Sequence, residues 1–163
     1  MKIVKTIIHL FSIICYFLIG IYALICIPYL FKYKPLVVLT GSMDPTFKVG
    51  SIIYYKNVLE NDIKKGDIIT FKYDDSTFIS HRVNQISNGV YETKGDANNT
   101  ADTRRITYKN IVGKDLNFCI PYLGYYVKFI NDNMYILIII SIILVTEFIL
   151  SNFCYKKREE KYE

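Results

Sequence analysis

The stretch Val37-Val38-Leu39-Thr40-Gly41-Ser42-Met43-Asp44-Pro45-Thr46 decides how the rest of the chain is read. Three apolar residues form a short strand, and a cluster of turn formers stops it. Ser42 stands at the junction. A hydroxyl at a tight strand-to-turn junction is exposed, fixed in direction and close to free backbone N–H groups, and a nucleophile needs all three. Gly, Ser, Asp and Pro also build ordinary turns, so this stretch alone leaves both readings open.

Working outward toward the N-terminus, Lys2 and Lys5 precede a run that is apolar over residues 7–31 apart from His9, Ser12, Gly20 and Pro28. Residues 10–31 count 22 positions, about 33 Å of helix, which crosses a bilayer core of roughly 30 Å. The run is longer than the apolar core of a secretory signal peptide and ends Pro28-Tyr29-Leu30-Phe31-Lys32, without a small-x-small site. It reads as an uncleaved anchor, with His9 at an interfacial or solvated position. A second apolar run, residues 134–153, is too long for a strand and reads as another transmembrane helix. Glu147 lies inside it, within three turns of Lys156, and is expected to pair or snorkel at the interface. The tail Lys156-Lys157-Arg158-Glu159-Glu160-Lys161, with Lys2 and Lys5 at the other end, places both termini in the cytoplasm. Lys32 and Lys34 run against that assignment without reversing it. The expected organisation is therefore an anchor over 1–33, an extracytoplasmic domain over 34–133, and a second helix with a basic tail over 134–163.

The middle reads as an antiparallel, mainly β domain. Ser51-Ile52-Ile53-Tyr54-Tyr55, Asp67-Ile68-Ile69-Thr70-Phe71-Lys72-Tyr73, Phe78-Ile79-Ser80-His81-Arg82-Val83 and Gly89-Val90-Tyr91-Glu92-Thr93-Lys94 are β-branched or aromatic runs separated by turn residues. Hairpins are expected at Asp74-Asp75-Ser76 and at Asn88-Gly89. The net charge of +5 is spread without a stripe suited to nucleic acid. Of Cys15, Cys26, Cys119 and Cys154 only Cys119 falls in this middle part, so no internal disulfide framework is expected. No Cys/His spacing suits a metal, and no cofactor is implied.

This domain holds one histidine, His81, on a strand and directly before Arg82. After the next strand comes Lys94-Gly95-Asp96-Ala97-Asn98-Asn99-Thr100-Ala101-Asp102, a polar loop with two carboxylates. Serine, histidine and aspartate are the parts of an arrangement in which a base takes the serine proton and a carboxylate orients the base. A lone strand histidine and an Asp/Asn loop are equally at home in a purely structural role.

Gly41-Ser42-Met43-Asp44-Pro45-Thr46, Gly66-Asp67-Ile68-Ile69, Ser80-His81-Arg82-Val83 and Lys94-Gly95-Asp96-Ala97-Asn98 resemble, in order and spacing, the successive boxes of type I signal peptidases. The likeness is to the endoplasmic-reticulum-like branch, in which a histidine replaces the bacterial lysine as general base. It implies an antiparallel β fold on the outer face of the membrane and a serine endopeptidase that removes signal peptides from exported preproteins after a small-x-small site. Ser42 is the implied nucleophile and His81 the implied base. Asp102 is favoured as orienter, with Asp96 contributing to the site and the Thr40 hydroxyl lending help at the oxyanion. The implied setting is a multi-pass cell-membrane protein whose partners are signal peptides, the lipid bilayer and the secretion machinery. Two alternatives stand beside this reading: a membrane-tethered serine protease with other substrates, and a non-catalytic membrane-anchored binding module.

Overall fold

The computed structural model describes residues 2–159, with side chains from Thr6 to Ile149. It divides into two compact units, Ile25–Lys128 and a helical unit formed by the chain on either side. The first helix, α1 (Lys2–Cys26), is followed by a 3-10 turn over Ile27–Phe31. The segment Thr6–Phe31 is long and apolar enough to cross a membrane. The C-terminal helix α3 (Met134–Glu159) follows α2 (Leu123–Asp132) after a break at Asn133, and the two meet that test only as a pair. Within the helical unit, Glu147 accepts a hydrogen bond from the Ser12 hydroxyl, and His9 Nδ1 lies 3.7 Å from its carboxylate. The pairing expected with Lys156 lies outside the described side chains, as do Lys2, Lys5 and the rest of the charged tail.

The other unit is one seven-stranded sheet in which every neighbouring pair is antiparallel. Its strands are β1 (Lys34–Val37), β2 (Ile52–Lys56), β3 (Ile68–Lys72), β4 (Phe78–Ser87), β5 (Val90–Lys94), β6 (Ile106–Thr107) and β7 (Ile111–Ile120), in spatial order β1-β2-β7-β3-β4-β5-β6. The strand expected around Val37–Leu39 lies earlier in the chain. Pro35 has no N–H to donate, which suits an edge strand. Beyond β1, Val38 bonds both Ser51 O and Gly50 N, which carries the pairing up to the Ser42 turn. The strand β7 and the helix α2 have no counterpart in the sequence reading.

Both expected hairpins form. Between β3 and β4 the Asp74 carboxylate accepts the backbone N–H groups of Ser76 and Thr77, chiefly that of Ser76, which hold its pKa down to about 2. Between β4 and β5, Asn88 and Gly89 both adopt positive φ, 52° and 73°, as a two-residue turn matched to the twist of a hairpin requires.

Successive side chains on a strand point to opposite faces, and β3 is buried on both. Ile69 and Phe71 join Val83, Tyr91, Ile106 and Ile63 in one hydrophobic cluster. Ile68 joins Met43, Phe47 and Ile53 in the other. Each fully buried Ile or Phe contributes about 1.5–3 kcal/mol of transfer free energy. The second cluster includes Met43 and Phe47, so the turn that carries Ser42 is fastened to the core on both sides of the proline.

Candidate active site

His81 lies on β4 directly opposite Ile69 of β3 and faces the first cluster. Its ring meets Phe71 edge-on, with centroids 6.4 Å apart, and the residue is only 7% exposed. A buried imidazole needs partners for both nitrogens. Nδ1 lies 2.6 Å from Asp102 Oδ2 and Nε2 lies 3.0 Å from Ser42 Oγ. Since a carboxylate only accepts, Nδ1 carries the proton. Nε2 is then the acceptor facing the Ser42 hydroxyl.

Asp102 is itself held from two directions. Its Oδ2 accepts the Thr93 hydroxyl at 2.7 Å, and its backbone N–H bonds Thr93 O at 2.8 Å. Thr93 is fully buried on β5. Nothing in the run Val90-Tyr91-Glu92-Thr93-Lys94 marked it for this part beyond its place on a strand beside the loop.

Asp96 does not touch His81. It takes Arg82 in a two-pronged grip, Nε to Oδ1 at 2.8 Å and the terminal nitrogen to Oδ2 at 2.7 Å, and accepts the Thr46 hydroxyl at 2.5 Å. Hydrogen bonding from Arg82 holds the Asp96 carboxyl below the usual range, and the same contact raises Arg82. Arg82 also reaches Gly66 O at 2.8 Å. The loop therefore clamps the Ser42 turn through Thr46. It also touches the turn directly, since Ala97 N–H bonds Ser42 O at 2.9 Å. A Cβ on Gly95 would lie 2.5 Å from Ser42 O, so only glycine permits this approach. Thr40 Oγ1 stands 3.5 Å from Ser42 Oγ, at the outer limit of a hydrogen bond.

Of the five side chains singled out in the sequence, three thus converge in a line, Ser42, His81 and Asp102. Thr40 stands beside that line and Asp96 on another network. A hydroxyl, an imidazole and a carboxylate so connected hold the parts for nucleophilic acyl transfer, the arrangement that serine hydrolases use. The family described as signal peptidase, peptidase S26, matches residues 8–114, and the chain belongs to it. Signal peptidase I W of Bacillus subtilis (strain 168) is 35% identical over 99 residues, covering 58% of this chain and 52% of the relative. The signal peptidase complex catalytic subunit SEC11C of Homo sapiens is 36% identical over 110 residues, 59% of this chain and 56% of the relative. The chain spans about half the length of these curated relatives.

Proposed function

We propose that this protein is a membrane-bound serine endopeptidase that removes signal peptides from exported preproteins after a small-x-small site. In this reading Ser42 Oγ attacks the scissile carbonyl while His81 Nε2 takes its proton. His81 then returns that proton to the departing amine, and a water repeats the cycle on the acyl-enzyme. Asp102 accepts the Nδ1 proton's hydrogen bond throughout, which fixes the tautomer and stabilises the imidazolium. The Ser42 backbone N–H serves the oxyanion, with the Thr40 hydroxyl as a second donor. Asp96 acts on the nucleophile through Arg82, Thr46 and the adjoining loop. The protein is multi-pass in this reading, α1 and the C-terminal helix both crossing the bilayer, with the sheet unit outside and the termini in the cytoplasm. Association with the secretion machinery would deliver its substrates.

The observation that carries the proposal is the single imidazole reaching Asp102 at 2.6 Å and Ser42 at 3.0 Å. The test is Ser42→Ala in the full chain, assayed on a preprotein with a small-x-small site. Folding and insertion should persist while processing falls by on the order of 10⁶, the precedent for removing a serine nucleophile. Processing at the wild-type rate would end the serine-peptidase reading. Processing of a substrate that is not an export signal, with export signals left uncut, would favour the alternative of a membrane-tethered serine protease with other substrates.

A further inference from the structure

Asp102 comes from a segment, residues 101–105, that is neither strand nor helix, yet its carboxylate meets His81 at 2.6 Å. On one flank this segment is tied to β5. Asp102 bonds Thr93 through both its N–H and its carboxylate, Arg105 pairs with Glu92, and Ile106 lies in register with Tyr91. On the other flank it faces the β3–β4 hairpin across a cleft of about 210 Å³. Asp102 and Arg104 line that cleft from the segment, Phe71, Tyr73 and Ile79 line it from the hairpin, and His81 forms part of its wall. Packed side chains would hold two segments at a fixed spacing, and a cleft lacks those contacts. A directed bond must set the spacing instead.

Arg104 supplies one. Its Nη1 donates to Tyr73 O, and its Cζ lies 4.7 Å from the centroid of the Tyr73 ring. Tyr73 is itself fixed within the hairpin, where its N–H bonds Thr77 O at 2.9 Å. A planar guanidinium that both donates and stacks has its direction set twice. Among the described residues, this is the one hydrogen bond that residues 101–105 make across the cleft apart from that of Asp102 to His81. We propose that Arg104 is a positioning residue that spans the cleft and so keeps the Asp102 carboxylate on His81 Nδ1. Arg104 acts through Asp102 and touches no reacting group. Its role rests on the serine-peptidase reading above.

The test compares purified full-length variants on a preprotein with a small-x-small site. Arg104→Met should lower kcat on the order of 10²-fold, the scale of a 1 Å misplacement, with KM changed less than twofold. The His81 Nδ1–H proton resonance, read with nitrogen-15-labelled histidine, should shift or broaden in the same variant. Arg104→Lys keeps a cation and a donor and should retain kcat within about threefold. Arg105→Gln breaks the Glu92 pair on the same segment and should leave kcat within about twofold. Because the effect runs through Asp102, Asp102→Asn/Arg104→Met should be no slower than Asp102→Asn alone. If Arg104→Met fails to fold, Tyr73→Leu carries the test, since it removes the ring and keeps the carbonyl, and should lower kcat about threefold. Unchanged kcat and an unmoved resonance in the folded variant would overturn the proposal. So would additive losses in the double variant, or an Arg105→Gln loss as large as that of Arg104→Met. Ser42→Ala with processing intact would instead end the peptidase reading, whereas the histidine resonance tests the Arg104 tie whether or not Ser42 reacts.

Discussion

His81 and Arg82 are neighbours on one strand, and they face opposite sides of the sheet. Each finds an aspartate from the same loop, Asp102 for the imidazole and Asp96 for the guanidinium. The two pairs look alike on a list of contacts. They differ in what lies beyond them. His81 goes on to Ser42 Oγ, a group that can react, whereas Arg82 goes on to Gly66 O and, through Asp96, to Thr46. In the proposed reading, a strand's alternation separates chemistry from support within two residues, while one loop braces both faces.

The largest expected effect breaks the comparison on the His81 side. Asp102→Asn should leave the sheet folded yet lower kcat for preprotein cleavage by about 10⁴-fold, because an amide can hold the imidazole in the wrong tautomer. Single-turnover kinetics on the purified variant would check this, and a loss no greater than that of Asp96→Asn would erase the distinction between the two carboxylates. Next comes the loop that serves both. Gly95→Ala should put a Cβ 2.5 Å from Ser42 O, push that carbonyl away and cost on the order of 10²-fold in kcat, the scale of a 1 Å misplacement. KM should change little.

Asp96→Asn tests the supporting side. It should lower unfolding stability by about 2 kcal/mol, the scale of a hydrogen bond to a charged group, with a smaller effect on kcat once the variant is folded. The sign with pH follows from its lowered pKa. The folded state favours the ionised carboxylate, so Asp96 stabilises fully above the unfolded value near 3.8 and loses that contribution as pH falls below it. Acid unfolding curves of the wild type and the variant should therefore converge at low pH and stand apart above about pH 5.

A third carboxylate sharpens the contrast by having no cation. Asp115 on β7 is 4% exposed, accepts the Thr70 hydroxyl at 2.9 Å, and among the described residues has no partner for Oδ1. Burial pushes its pKa up to about 7. The folded state then keeps a proton that the unfolded chain has lost, so stability falls as pH rises from 3.8 toward 7. The slope is about 1.4 kcal/mol per pH unit at most. Asp115→Asn should flatten that stretch of the pH–stability profile, and an unchanged slope by chemical denaturation would mean the proton is not held there.

Much of this was legible in the chain. Ser42 stood out because Gly41, Asp44 and Pro45 stop a short apolar run, and the two hairpins because Asp74 and Asn88-Gly89 each carry a turn's own chemistry. The boxes around Ser42, His81 and Asp96 also belong to the part of the chain that the family covers. The choice between Asp96 and Asp102 was not legible from the residues themselves. Both are loop carboxylates, and only the opposite directions of His81 and Arg82 distribute them. The strand β7 stayed hidden because Gly113, Lys114, Asp115 and Asn117 interrupt its apolar character. Its bulge against β2 also spoils simple alternation. Thr93 was invisible for a different reason, since a strand threonine is ordinary until the loop folds back over it. The C-terminal helix was legible as a helix from its length and apolarity.

An open antiparallel sheet ends in two rows of unspent hydrogen-bonding groups, and such rows template aggregation. Here one end is β6, just two residues long, too short for a second copy to grip. The other is β1, four residues that begin Lys34-Pro35. A charge and a missing donor at that rim discourage edge-to-edge growth. In the membrane setting proposed above, copies confined to one plane would meet often. These two blunt margins would keep those encounters from propagating into fibres.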